Sequence, residues 1–486
     1  MNKKIGNATV WSSITELMAK IVGPIVNIVL ARLLLPEAFG VVASINVVIS
    51  FAEVFTDAGF QKYLIQHEFT DEDALDKSTN VAFWTNLSLS ALACLVIFLF
   101  KDKIATLVGS PGLGMPISLA SLLIVLQAFS SIQMARYKRD FDFKTLFFVR
   151  MGTSLLPLVV TIPLAVILRN YWALLIGNFA SLTFRAVALT VKAKWKIKFY
   201  YNFALLKEMF SFTSWTLLES VSVWLTSYID VFIVGSVLSS HYLGLYKTAM
   251  TTVNSYMGIV TASVLPVVFS ALSRYQNDEK QFKQTFFTFQ RLTAVLVIPM
   301  GVGIYLFRDT VTQILLGSQW MDAADFLGLW GLTGAITIVI SHFSSEVYRS
   351  KGKPRISVLE QIIHLAFVIP TLLIAVKYGF EVLCLSRAAV RLQGLFVSFI
   401  VMRIVFGFQT KKILANIWPT VLSSLAMGMF GYLLKPIFSG IVWQFFVIFL
   451  CVVVYFAVLL TCFPKLRGEL LATPYAKKVL RILKRK

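Results

Sequence analysis

Apolar residues run in stretches of helix length along nearly the whole chain, broken by short polar segments. A helix needs about 20 mainly apolar residues to cross the hydrocarbon core of a bilayer. Fourteen stretches qualify, at roughly 9–33, 39–65, 79–100, 115–135, 145–168, 172–192, 211–238, 244–271, 286–307, 325–350, 356–376, 381–403, 417–434 and 440–462. None alternates polar and apolar residues in the manner of a transmembrane β-strand. The predicted fold class is therefore an all-α polytopic membrane protein with 14 transmembrane helices.

The pattern also repeats. Ala31-Arg32-Leu33-Leu34-Leu35-Pro36-Glu37-Ala38-Phe39-Gly40-Val41 aligns with the eleven residues from Gly235 to Leu245, between the first two spans of each half. Val108-Gly109-Ser110 aligns with Leu316-Gly317-Ser318, and Phe129-Ser130-Ser131 with Phe343-Ser344-Ser345. The offsets are 204, 208 and 214 residues, in one order. Six spans separate the copies, so the repeats are parallel, and substrate sites in such transporters lie at the repeat interface. The expected organisation is two pseudo-symmetric six-helix lobes, 1–200 and 201–405, then two C-terminal helices in 406–463 and a basic tail in 464–486.

Composition agrees. Of 486 residues 57% are hydrophobic and 14% charged, whereas soluble domains run at about 25% charged. This hydrophobicity excludes disorder. The net charge of +21 is located by the spans. About 31 Lys and Arg fall in the segments on one side and about 6 on the other. Basic loops stay inside, so both termini are expected in the cytoplasm. The basic residues are spread over eight short segments, which removes the case for nucleic acid. The polar start, Met1 to Thr9, leads into a long span and reads as a retained helix rather than a cleaved signal. Residues 202–210 read as a short amphipathic helix on the cytoplasmic face. The tail, with Val479, Leu480 and Leu483 opposed by basic residues, reads as a second one. The four cysteines lie in apolar stretches without CxxC spacing, so no disulfide framework or metal site follows.

Nothing resembles an enzyme: GxxxxGK[ST], HExxH and GxSxG are missing from the sequence. No cofactor is expected, and any transport must draw on an ion gradient, the substrate gradient or product withdrawal. The informative residues are ionisable groups inside spans, which cost several kcal/mol and usually face a cavity or a partner. Glu16 and Lys20 are four apart in span 1, as are Glu53 and Asp57 in span 2. Glu219 and Asp230 lie in span 7, Lys247 in span 8, Arg150 in span 5 and Arg291 in span 9. His342 and Glu346 lie in span 10, Glu360 and His364 in span 11, and Arg387 and Arg391 in span 12. Seven of these fall in the equivalent spans 1, 2, 7 and 8, as if lining one hydrated cleft. Arg150, Arg291 and Glu346 are within about two turns of a cytoplasmic end and can snorkel. Lys20 lies roughly 16 Å deep at 1.5 Å per residue. Trp172, Trp320, Trp418 and Trp443 read as interface anchors. Trp215 and Trp224 in span 7 read as core or lipid packing, with sugar stacking as the alternative.

These residues bring the chain to a known pattern. Ala31 to Gly40, Thr56-Asp57-Ala58-Gly59-Phe60, Arg136-Tyr137-Lys138-Arg139-Asp140-Phe141, Asp230 to Tyr246 and Gly317-Ser318-Gln319-Trp320 resemble the bacterial polysaccharide flippases. These belong to the multidrug/oligosaccharidyl-lipid/polysaccharide exporter superfamily, and the colanic-acid and teichuronic-acid exporter branch is the nearest in character. The resemblance implies alternating access between two six-helix lobes, moving an undecaprenyl-pyrophosphate-linked oligosaccharide to the outer leaflet, alongside polysaccharide polymerase machinery. On that reading Lys20, Lys247, Arg387, Arg391, Arg150 and Arg291 are the candidate substrate-binding cations. Glu16, Glu53, Asp57, Glu219 and Asp230 are the candidates for coupling to H+ or Na+. The competing readings are a cation-coupled drug exporter of the same superfamily and a non-transporting scaffold for polysaccharide assembly.

Overall fold

A computed structural model describes residues 2–468 except 58, 194, 354, 439 and 465. The side chains of 2–10, 12, 13, 16, 17, 211–216, 218 and 219 are also outside the description. Among the described residues there is no strand. The helices in order are α1 Asn2–Leu33, α2 Pro36–Asp57, α3 Phe60–Gln66, α4 Glu72–Leu99, α5 Lys101–Leu107, α6 Gly114–Ala120, α7 Leu122–Arg139, α8 Phe143–Val159, α9 Thr161–Leu168 and α10 Tyr171–Val191. They continue with α11 Phe203–Val237, α12 Ser240–Arg274, α13 Glu279–Leu306, α14 Arg308–Leu315, α15 Ala324–Thr337, α16 Phe343–Ser350, α17 Arg355–Ala375, α18 Phe380–Phe406, α19 Thr410–Leu434 and α20 Ile441–Cys462. A helix satisfies its backbone internally, which a lipid environment demands.

Thirteen described helices, or pairs joined end to end, are long and apolar enough to cross a membrane. The long helix α1 lies outside that thirteen, and only part of its side chains is described. Two expected boundaries shift. The span expected at 39–65 ends at Asp57, where Gly59 takes φ 82° and α3 begins. A left-handed residue breaks a helix, and glycine adopts that conformation at no steric cost. The segment expected as a separate helix at 202–210 is continuous with the next span, α11, which Asn202 caps by accepting from the Ala204 and Leu205 amides. The tail from 469 onward, including Val479, Leu480 and Leu483, lies outside the described residues.

The chain divides into two compact units. Unit 1 is Met1–Thr248 with Leu372–Phe380; unit 2 is Ala249–Thr371 with Glu381–Lys486. In unit 1, α2 packs against α4, α6, α7, α10 and α11, while α1 lies on α8 and α9. One core cluster holds Phe60, Tyr63, Leu64, Phe83 and Met209; another holds Ile45, Ile49, Ile117, Ile124 and Leu175. In unit 2, α13 packs on α15 and α19, and α19 on α20. Tyr455 on α20 donates to the Val295 carbonyl of α13 at 2.8 Å, fastening the last helix to the core.

The motif after the fourth span is a brace. Arg136 donates to Asp76 at 2.7 Å. The Tyr137 hydroxyl donates to the Leu189 carbonyl at 3.1 Å. Arg139 donates to the Leu64 and His67 carbonyls at 2.8 and 2.7 Å and lies over the Phe69 ring. The arginines hold α3, its connection to α4 and the start of α4 onto α7, and the tyrosine ties α7 to α10. Hydrogen bonds from a charged donor contribute about 1.5–3 kcal/mol each. Arg139→Ala should therefore raise amide exchange across 64–70 by at least tenfold, measured by hydrogen–deuterium exchange, while α13 to α20 keep their protection.

The first aligned repeat pair meets itself within unit 1. Gly40 on α2 lies against the Ser240 carbonyl and the Gly244 amide. Gly244 on α12 lies against the Pro36 carbonyl and the Gly40 amide. Gly40 and Gly244 are repeat equivalents, as are Pro36 and Ser240. Glu37 and His241 are equivalents too, and pair at 2.7 Å. Residue i of one copy touches residue j of the other, and the reverse. That is the signature of a two-fold contact, here between two halves of one chain. The neutral glycines allow backbone to reach backbone.

Candidate functional site

A cavity of about 460 Å³ opens within unit 1 among α2, α3, α4, α7 and α11. Two of the expected carboxylates line it. Glu53 and Asp57 are four apart on α2 and so share a face. Gln61, on the first turn of α3, donates to Asp57 at 3.2 Å. The Asp57–Gly59–Phe60 motif thus has a local logic. Gly59 turns the chain, Phe60 plugs fully into the core, and Asp57 and Gln61 are left facing the cavity.

The remaining lining is mostly hydroxyl and amide. Ser50, Thr56, Asn86, Gln127, Ser131 and Ser227 all contribute. Asn86 donates to Ser131 at 2.8 Å, fixing its amide between α4 and α7. One wall is aromatic. Trp224 and Tyr228 on α11 stack with centroids 6.0 Å apart, and Trp224 donates to Ser50 at 3.0 Å. Lys247 sits over the other end of this stack, 5.4 Å from the Tyr228 ring centroid. Trp224 was expected to be core or lipid packing; it is buried and also lines the cavity.

Arg185 is not among the candidate residues of the sequence analysis; it stands on α10, inside the span expected at 172–192. There it donates to Gln127 and acts electrostatically on Glu53. The acidic pair therefore has Arg185 acting on Glu53, and Lys138 and the lining residue Lys62 acting on Asp57. Unbroken polar side chains in apolar helices, such as Asn86 and Gln127, were the sequence signal that could have found the cavity.

The other expected residues go elsewhere. Asp230 is only 3% exposed and does not line this cavity. It accepts from the Tyr246 hydroxyl at 3.0 Å, joining α11 to α12. Lys20 is partly buried on α1, and Arg150 on α8 is exposed. The side chains of Glu16, Glu219 and Trp215 are outside the description. In unit 2 lie Arg387 and Arg391, two of the candidate substrate-binding cations. They lie over one ring, Trp330, at 5.0 and 4.0 Å from its centroid. Arg391 also donates to the Trp330 carbonyl at 3.2 Å. Trp330 donates in turn to Asn254 at 3.0 Å. Stacking on an aromatic face suits guanidinium, and a desolvated cation–π contact contributes about 2 kcal/mol. Glu360 is engaged by the Tyr348 hydroxyl at 2.8 Å and Glu346 by Arg349 at 3.1 Å. Trp320, expected at the interface, is fully buried. Trp418 is exposed, as an interface anchor would be.

Beyond the spans, the α3 end of the cavity wall is tied to the start of α11. Tyr63 donates to Glu208 at 2.9 Å, and His67 lies 3.6 Å from the same carboxylate. Burial, and then this bond, push the Tyr63 phenol well above its usual value.

The family described as "Polysaccharide biosynthesis protein" matches residues 29–325, well over half of the chain. The chain belongs to this family. Among its relatives, the succinoglycan biosynthesis transport protein ExoT of Rhizobium meliloti is 26% identical over 65% of this chain. That match spans 63% of the relative's own length. The lipopolysaccharide biosynthesis protein WzxC of Escherichia coli is 19% identical over 88% of each chain. In fold, this member of the polysaccharide biosynthesis family is similar to the lipid II flippase MurJ in an inward closed conformation. That likeness has a TM-score of 0.74 at 16% identity and covers 94% of this chain and 99% of the other. ExoT is a transport protein by name and MurJ a flippase by name, and the polytopic helical fold is shared with MurJ.

Proposed function

We propose that the protein flips an undecaprenyl-pyrophosphate-linked oligosaccharide across the bacterial inner membrane by alternating access, supplying repeat units for a cell-surface polysaccharide. The observation that supports this most is the unit 1 cavity. Hydroxyl and amide groups suit the many hydroxyls of a sugar, and the Trp224–Tyr228 wall offers an apolar face for a ring. The carboxylates bind hydroxyls in the same way, or exchange H+ or Na+ when the substrate leaves. The lipid tail can stay in the bilayer throughout.

The cations serve the pyrophosphate. Lysine is a flexible point charge suited to phosphate. Lys20 and Lys247 are the preferred contacts, with Lys62 and Arg185 balancing the carboxylates. Arg150, Arg291, Arg387 and Arg391 are the further substrate-binding candidates, and Glu16 and Glu219 the further coupling candidates beside Glu53 and Asp57, while Asp230, expected among them, is read as a structural acceptor for Tyr246. Both termini face the cytoplasm, and the protein binds its lipid-linked substrate as a carrier rather than an enzyme. The moving bodies are the repeat lobes, 1–200 and 201–405, followed by 406–463 and the tail 464–486. Their first aligned motifs touch at Gly40 and Gly244.

Deletion of the gene followed by lipid analysis tests the proposal. The expected result is accumulation of a sugar-linked undecaprenyl lipid in the inner leaflet and loss of the surface polymer. A normal lipid profile with normal polymer would overturn it, and would leave the scaffold or the drug exporter.

A further inference from the structure

Glu360 on α17 is half-buried, and its described partners are hydroxyl groups from the two neighbouring helices of unit 2. Tyr348 on α16 donates to it at 2.8 Å. Ser398 on α18 is within hydrogen-bond reach of both Glu360 and Tyr348. The Ser398 hydroxyl also reaches Ser341 at 3.2 Å. Ser341 stands in a π-helical turn, Ile338–His342, between α15 and α16, and such turns gather at functional sites. Tyr348 and Ser398 are buried, and the Tyr348 ring stacks on Phe406 with centroids 5.2 Å apart. A second hydroxyl pair, Ser345 with Ser357 at 3.1 Å, joins α16 to α17.

Hydroxyl partners set this carboxylate apart. An N–H only donates, so amides and guanidinium groups fix a carboxylate as an acceptor, whereas a hydroxyl both donates and accepts. By rotating their O–H bonds, Tyr348 and Ser398 can donate to an ionised Glu360 or accept from a protonated one. Ser398 has a single hydrogen for three neighbours, Ser341, Tyr348 and Glu360, so the network has more than one arrangement. The charged and titratable side chains around it have their own settings. On α16, Glu346 takes Arg349 at 3.1 Å. On α17, His364 lies 3.4 Å from Gln393. On α18, Arg387 and Arg391 lie over Trp330. Glu360 is five residues into α17, about 7.5 Å along its axis. Arg349, Lys351, Lys353 and Arg355 make the adjoining turn one of the basic segments.

We propose that Glu360 is a reversible proton-binding site, loaded from water at the basic end of α17 and held by Tyr348 and Ser398. A hydronium ion delivers the proton and leaves as water, and the hydroxyls turn to accept from the new O–H. Ionisable groups inside spans serve as proton relays. The site would give unit 2 a coupling group beside Glu53 and Asp57 of unit 1. That role rests on the transport reading; proton binding itself does not.

The test is infrared difference spectroscopy of the purified full chain in lipid nanodiscs, as pH is lowered from mildly alkaline to mildly acidic. A protonated carboxyl has a C=O stretch that a carboxylate lacks. The expected result is a band that grows as pH falls and is lost in Glu360→Gln, which keeps an acceptor for Tyr348. Tyr348→Phe keeps the ring on Phe406 and should shift the frequency of the same band, because the carboxyl has lost a hydrogen-bond partner. This second variant also serves if Glu360→Gln fails to fold. Equal pH-dependent bands in the parent and in Glu360→Gln would overturn the proposal. So would a Glu360 band that ignores pH, which would mean a permanently protonated structural group, or a band unmoved by Tyr348→Phe. Na+ added at fixed pH should leave the band unchanged; its loss would overturn the proposal by assigning the carboxylate to a metal ion. No substrate enters these measurements, so their failure leaves the flippase proposal standing, and failure of the gene-deletion experiment leaves the proton site standing.

Discussion

Replacing Gly40 by alanine should collapse surface polymer while the protein still inserts. On propensity alone the change would help, since alanine in a helix interior is favoured over glycine by about 1 kcal/mol. The surroundings reverse the sign. A Cβ at Gly40 would overlap the Ser240 carbonyl, with its carbon at 2.6 Å and the Gly244 nitrogen at 3.0 Å. Those are backbone atoms, so no rotamer change relieves the clash, and α2 and α12 must part. Overpacking of this kind costs about 1–3 kcal/mol. Applied to the conformation in which the two helix starts touch, it shifts that population by about 5- to 150-fold. If the proposed alternating access passes through this contact, export should fall by a similar factor. Gly244→Ala meets the Pro36 carbonyl and should act alike. Gly303→Ala, with nothing within 4 Å of the added carbon, should export normally. The measurement is surface polymer normalised to membrane-inserted protein. Normal polymer from Gly40→Ala would show that the contact is dispensable.

That contact also shows what the sequence carries and what it hides. The repeat could be read from aligned residues, because a turn between two spans needs the same small residues in each half. That the copies meet at the equivalent glycines could not be read, since Glu37 and His241 come together only after 204 residues have folded. The spans were legible because lipid leaves so little choice: a long apolar run without alternation is a helix. Their ends were less so. Arg185 lay inside an expected span, 172–192, that the structure keeps as Tyr171–Val191, but it was counted with the basic residues of the inner side; depth decides whether a cation is topology or chemistry. Arg387 and Arg391 were singled out because a cation inside a span needs a partner or a cavity. The partner, Trp330, was invisible because an aromatic ring in a span has no charge to betray it. Trp320 failed for the opposite reason: position near a span end suggested the interface, but the turn that carries it folds inward and buries it.

Asp57 and Asp230 looked alike in sequence, each an acid in the second or first span of a half, and they should answer mutation in opposite ways. Asp57 faces the cavity, and its described hydrogen bond is a single side-chain one from Gln61. Asp57→Asn keeps the shape and removes the charge. A charged hydrogen-bonding group contributes about 1.5–3 kcal/mol, so export should fall about 10- to 150-fold if the carboxylate binds sugar or a coupling ion. Thermal stability in detergent should hardly move. Asp230 is buried, and its two oxygens take the Val231 amide at 2.8 Å and the Tyr246 hydroxyl at 3.0 Å. Asp230→Ala removes the acceptor that joins α11 to α12, and leaves polar groups in a buried place. The expected result is a lower unfolding midpoint and less inserted protein, with export per inserted molecule little changed. The pair of readouts separates the two roles: export per molecule for Asp57, and unfolding midpoint for Asp230. If Asp57→Asn exports normally, the cavity carboxylate is not part of transport. If Asp230→Ala keeps its stability and loses export, the buried acid belongs with the coupling groups and the assignment of Asp57 must be shared with it.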